Sequence, residues 1–190
     1  MATCSAGDVT CFIVNQANII NNIATSVRPI EKLIIVLTYV LGLVFAFKAI
    51  YSLKVYGESK ATMSSHSSAK EPLLYLLVAS VFIYFPSAFQ IIMNTTFGYS
   101  SPLAYSAINS DSSTINTLFG AGSPVGSSLV LIIQVIGLVA FIKGWLLVSR
   151  SSSQGQPPGG TGKGLMHVFG GVVAMNIVGT LQILDNTLYG

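Results

Sequence analysis

Residues 41–50 read LGLVFAFKAI and residues 136–145 read IGLVAFIKGW, so each apolar run carries one lysine inside it, Lys48 in the first and Lys143 in the second. Outward from the first run, residues 33–55 stay apolar long enough to cross the roughly 30 Å hydrocarbon layer of a bilayer, for which a helix needs ~20 residues. The same holds for residues 73–93, 129–149 and 164–184. Composition agrees, because 52% of the chain is apolar, only 8% is charged and the mean hydropathy is +0.70, whereas a soluble domain is about a quarter charged. Backbone N–H and C=O groups find no water inside lipid, so spanning segments must satisfy them internally, as helices do. The expected fold is an all-α membrane protein with four transmembrane helices.

The two lysine runs belong to a longer duplication. At an offset of 95 residues, Ile20-Asn21 meets Ile115-Asn116, Pro29 meets Pro124, Gly42 meets Gly137 and Lys48 meets Lys143. Further on the offset is 92, and QIIMNTTFG at residues 90–98 meets QILDNTLYG at residues 182–190. The chain therefore reads as two tandem helical hairpins, residues 1–95 and 96–190, with a connection three residues shorter in the second. Each copy has two spans, so both insert the same way up, as a parallel repeat. Hairpins that recur in one orientation suit rings and tubes.

Cations set the expected topology. Of nine Lys and Arg, seven fall between Lys48 and Lys70 or between Lys143 and Lys163, and residues 94–128 hold none. Cytoplasmic loops collect Lys and Arg, so loops 56–72 and 150–163 are expected in the cytoplasm, with both termini facing the periplasm or the equivalent outer side. Arg28 and Lys32 count against this, with Glu31 between them. Residues 1–16 lack a basic stretch followed by an apolar one, so the N-terminus is expected to be retained. Cys4 and Cys11 would then lie on an oxidising side, where a disulfide and two unpaired thiols both stay open as readings. From Phe12 to Ile30 apolar residues alternate with Asn and Gln, which predicts a short amphipathic N-terminal helix on the membrane surface or against partners.

Lys48 lies about 15 residues into its span, roughly 22 Å at 1.5 Å per residue, near the expected cytoplasmic edge. Such a lysine either snorkels to the headgroups or faces a protein interior or aqueous path. Neither hairpin offers an obvious carboxylate within the membrane, so a partner is expected from another chain or from lipid. Gly42 and Ala46, their counterpart Gly137, and the pair Gly170 and Ala174 are small residues that let helix backbones approach closely. Pro86 predicts a kink whose freed carbonyl Ser80 or a neighbour could take.

No enzyme chemistry emerges. QPPGGTGKGLM, residues 156–166, fails the phosphate-loop pattern, because Pro157 and Gly164 stand where Gly and Ser or Thr are needed. His66 and His167 have no cysteine or carboxylate at metal-ligand spacing, and the six carboxylates are scattered without a nucleophile motif. No cofactor is expected. A net charge of +3 from dispersed cations gives no nucleic-acid footprint.

The segment LKVYGESKATMSS at residues 53–65, after GLVFAFKAIYS and before PLLYLLVASVFIYFPS, resembles the IcmC/DotE family of inner-membrane proteins of type IVB (Dot/Icm) secretion systems. The resemblance implies a structural subunit of effector protein translocation in virulence, in contact with membrane lipid and other inner-membrane secretion subunits in a ring or conduit. Each hairpin also looks like that of type IV secretion pilins, from which duplication and the lack of a long cleavable leader set it apart. Two other readings stay open: a small anion channel or transporter lined by Lys48 and Lys143, and a pilin-like or holin-like membrane polymer.

Overall fold

A computed structural model describes residues 9–61, 69–100, 113–120, 123, 125–151 and 160–188. Its elements are helices: α1 (Val9–Ala61), α2 (Lys70–Ile83), α3 (Phe85–Phe97), α4 (Ser113–Phe119), α5 (Gly126–Arg150), α6 (Gly160–Met175) and α7 (Ile177–Leu188). α1 packs on α2 and α5 on α6, and α5 also contacts α1 and α2. Val78, Phe82 and Phe85 of the first pair meet Leu138, Phe141 and Val172 of the second in one buried apolar core.

α1 and α5 are each long and apolar enough to cross a membrane. The other two predicted spans are not straight. α2 and α3 are bent by 92° at Tyr84, and α6 and α7 by 87° at Asn176, so four spans result only where each bent pair is taken as one. The two breaks are 92 residues apart, the offset of the sequence repeat.

The causes of the breaks differ. At the first, Pro86 leaves the carbonyl four residues earlier without an N–H and stands in the first turn of α3, which favours the bend without alone requiring it. Ser80 does not take that carbonyl; its hydroxyl donates to Leu77 O within α2 at 2.8 Å. α3 then buries Phe85 and Met93 and exposes Gln90, Asn94 and Thr95, an amphipathic pattern at helical spacing. It ends at Gly98, whose φ of 81° is the left-handed cap that glycine adopts without strain. At the second break there is no proline. Asn176, fully buried, donates its side-chain N–H to the Tyr99 hydroxyl, and the Thr180 hydroxyl lies 3.1 Å from Val173 O and 3.0 Å from Asn176 O. A buried amide in an apolar core must find partners, and it finds one by turning the chain here.

The predicted short N-terminal helix is corrected too. Residues 9–61 form one helix that carries Pro29 inside it, so the amphipathic stretch continues into the span without a break. In the second copy the counterparts separate as α4 and α5. The sequence supplies a reason: TSVRP at residues 25–29 is matched by GAGSP at residues 120–124, and two glycines cost a helix about 1 kcal/mol each relative to alanine. Gly120 N–H closes α4 on Asn116 O at 2.8 Å, and Ser123 N–H turns back to Gly120 O.

Candidate functional site

The packed pairs α1–α2 and α5–α6 are each held together by a seam of small residues. On α1, Gly42 lies so close to α2 that a Cβ built on it would be 2.9 Å from Ile83 N and 3.1 Å from Phe82 C. On α5, a Cβ on Gly137 would be 2.7 Å from Met175 N and 3.0 Å from Ala174 C. Ile83 and Phe82 correspond to Met175 and Ala174 at the 92-residue offset, so Gly42 and Gly137 make the same approach in the two copies. Ala174 thus sits in the seam, and Ala46 is half-buried beside fully buried Ala49. Gly170 does not take part: nothing lies within 4 Å of a Cβ built there, and it is Gly171, one residue on, that meets Phe141 N and Gly137 O. A step of one residue turns a helix by about 100°, which moves Gly170 off the contact face.

The second seam is tighter than the first. Gly144 and Gly164, which sequence reading passed over, each place a Cβ under 3 Å from the facing helix. Their counterparts in the first copy are Ala49 and Pro72, both buried. Extending the repeat alignment through these positions was the signal that could have found them.

The lysines have unlike surroundings. Lys48 Nζ sits 4.5 Å from the centre of the Tyr75 ring, a cation–π contact worth about 0.5–1 kcal/mol at an exposed site. Tyr75, only 2% exposed, donates its hydroxyl proton to Glu71 Oε1 at 3.1 Å. Lys48 therefore has a cation–π partner on the helix that packs against its own, Tyr75 of α2. Lys143 is exposed and lines a surface groove with His167, Val135, Ile136, Val139 and Ala140. The two lysines serve separate hairpin surfaces.

A second cavity, of about 290 Å³, lies where the hairpins meet, lined by Glu31 and Ile35 of α1, Phe85, Phe89 and Gln90 of α3, and Gln134 and Leu138 of α5, among others. It contains neither lysine. α1 and α5 are also tied by a hydrogen bond from the Ser128 hydroxyl to Asn21 Oδ1. Cys4, the side chain of Cys11 and His66 lie outside the described residues, as do residues 62–68 and 152–159 of the two basic loops.

No family model, curated protein or solved structure matches this chain.

Proposed function

We propose that this chain is a non-enzymatic membrane subunit, built of two tandem parallel hairpins, that packs against other helical subunits of a translocation apparatus. The observation that carries this reading is the length of α1 and the apolar stripe along it. At 1.5 Å per residue its 53 residues extend about 80 Å, more than twice the hydrocarbon thickness. Ile19, Ile23, Ile30, Leu33, Leu37, Val40, Val44, Phe47 and Tyr51 are all exposed and, with Ser26 filling one position, follow alternating steps of three and four. That spacing is the seam by which one helix packs along another. Lipid covers such a stripe over residues 33–55, but Ile19, Ile23 and Ile30 lie beyond that window, where an exposed apolar row calls for a protein partner.

The small-residue seams and the equivalent breaks at Tyr84 and Asn176 support the tandem-hairpin reading. In it, α1 and α5 span, α2 and α6 return, and the amphipathic α3 and α7 lie along the outer membrane surface, with the basic connections cytoplasmic. The resemblance of residues 42–65 and 72–87 to the IcmC/DotE family supports placing the subunit in the inner membrane as part of a type IVB secretion system, where it would form or seat the conduit for effector proteins.

Photocrosslinking in cells from Ile23, Phe47 and Gly170 tests the reading. Capture of secretion-system membrane proteins from Ile23 is the expected result. Capture of lipid alone at all three positions, with normal secretion after deletion of the gene, refutes it.

A further inference from the structure

The repeat offsets set three residues of one copy against three of the other. Lys48, Tyr75 and Glu71 correspond to Lys143, His167 and Lys163. In the first hairpin the set is closed: the ammonium lies over the Tyr75 ring, the Tyr75 hydroxyl bonds the Glu71 carboxylate, and cation and anion balance. In the second the carboxylate is replaced by a third basic residue, and among the described residues Lys143 has no ion pair. His167 Nδ1 is 2.8 Å from Lys163 O, so Nδ1 donates there and Nε2 is left for another group.

The same place is hollow. Lys143 and His167 stand in a groove of about 340 Å³ whose remaining lining, Val135, Ile136, Val139 and Ala140, is apolar. Ile136 and Val139 are exposed along α5. From residue 136 to residue 143 the helix advances about 10 Å. Lys143 lies seven residues before the end of α5 and His167 seven after the start of α6, so the basic end of the groove lies nearer the connection and the apolar end deeper in the span. A lysine with an imidazole beside it, leading into an apolar trough, matches a molecule with an anionic head and a hydrocarbon tail.

We propose that this groove seats an anionic phospholipid, its headgroup phosphate at Lys143 and His167 and an acyl chain along Ile136, Val139 and Ala140. The inference rests on the reading of the chain as a membrane subunit. Charge complementarity selects the occupant: a zwitterionic lipid offers the same tail but no net charge to balance the Lys143 ammonium. The first hairpin fills its own equivalent position with Tyr75 and Glu71 and has no such need.

The test uses full-length protein extracted from membranes in detergent, exposed to equimolar phosphatidylglycerol and phosphatidylcholine, with retained lipid read by native mass spectrometry. Phosphatidylglycerol is expected to be preferred by roughly fivefold for each cation engaged. Lys143→Gln with His167→Gln is expected to abolish the preference, and Lys48→Gln to leave it intact. A second variant, His167→Tyr with Lys163→Glu, installs the first copy's residues and is expected to lose the preference while Lys143 remains. Equal retention of both lipids by the unaltered chain overturns the proposal, as does a preference that survives in both double variants. Displacement by glycerophosphate at the concentration at which phosphatidylglycerol itself competes assigns a free-anion site and overturns the lipid seat. Protein recovered without detergent defeats the membrane reading itself, whereas membrane-bound protein without lipid preference defeats this inference alone.

Discussion

Gly171→Ala probes the α5–α6 seam with a single methyl group. Built on Gly171, the carbon lies 2.6 Å from Phe141 N, 2.7 Å from Gly137 O and 2.9 Å from Phe141 Cα. All three are backbone atoms, so no rotamer relieves the contact. Carbon contacts are comfortable from about 3.5 Å, so the helices must part by roughly 1 Å along a seam that also holds Gly144 and Gly164. Overpacking of this kind costs ~1–3 kcal/mol, against which alanine's helix preference returns up to about 1 kcal/mol. Gly170→Ala adds the same methyl to open space and keeps only the favourable part. The two neighbours should therefore differ by about 2 kcal/mol, or roughly 4–8 °C in Tm for a chain of this size. Trp145, the sole tryptophan, is half-buried and packs edge-on against Phe141, so its fluorescence follows unfolding of the purified chain in micelles from within the seam. A Gly170→Ala midpoint lowered as far as that of Gly171→Ala refutes the assignment of the contact face.

Pro86→Ala should leave the first bend in place, because the second bend forms without proline and α3 is held by its buried Phe85 and Met93. Spin labels at Leu73 and Thr95, with Cys4 and Cys11 replaced by serine, should stay roughly 23 Å apart, whereas a straightened helix would place them about 33 Å apart. Tyr99→Phe removes the acceptor of the Asn176 amide and should lower stability by about 1 kcal/mol, checked by the same unfolding assay; an unchanged midpoint would separate Tyr99 from the second bend. Gly42→Leu places its Cβ under 3 Å from Ile83 N and should destabilise the first hairpin by ~1–3 kcal/mol, read as increased protease sensitivity of the connection after Ala61.

Sequence reading reached the helices and the glycine contacts through two signals, apolar length and the repeat offset. Gly42 and Gly137 were legible because a small residue in an apolar span has few other uses. Gly170 misled for a geometric reason: GG at residues 170–171 offers two candidates, and only the angular position relative to Phe141 separates them. The bends were half legible. Pro86 announces one, but Asn176 turns the chain through a hydrogen bond to Tyr99, 77 residues earlier, which local pattern does not carry. The fusion of the N-terminal stretch into α1 was hidden because nothing in the local pattern shows that the helix runs on through Pro29 at the loss of one hydrogen bond. The unlike surroundings of Lys48 and Lys143 lay in the alignment of Tyr75 with His167, visible once the 92-residue offset is carried back through the fourth span.

In the proposed membrane arrangement the two bends would also act on the surrounding bilayer. α2 and α6, with 14 and 16 residues, rise only about 21 and 24 Å before the chain turns aside, while α5 rises about 38 Å. Were α3 and α7 to lie in the membrane plane as proposed, lipid beside α2 and α6 would meet an apolar wall several ångströms shorter than its own ~30 Å depth and would thin to match, at fractions of a kcal/mol per Å. Copies set side by side would join these shallow patches into a belt of thinned membrane, a shorter barrier for any polypeptide crossing beside them.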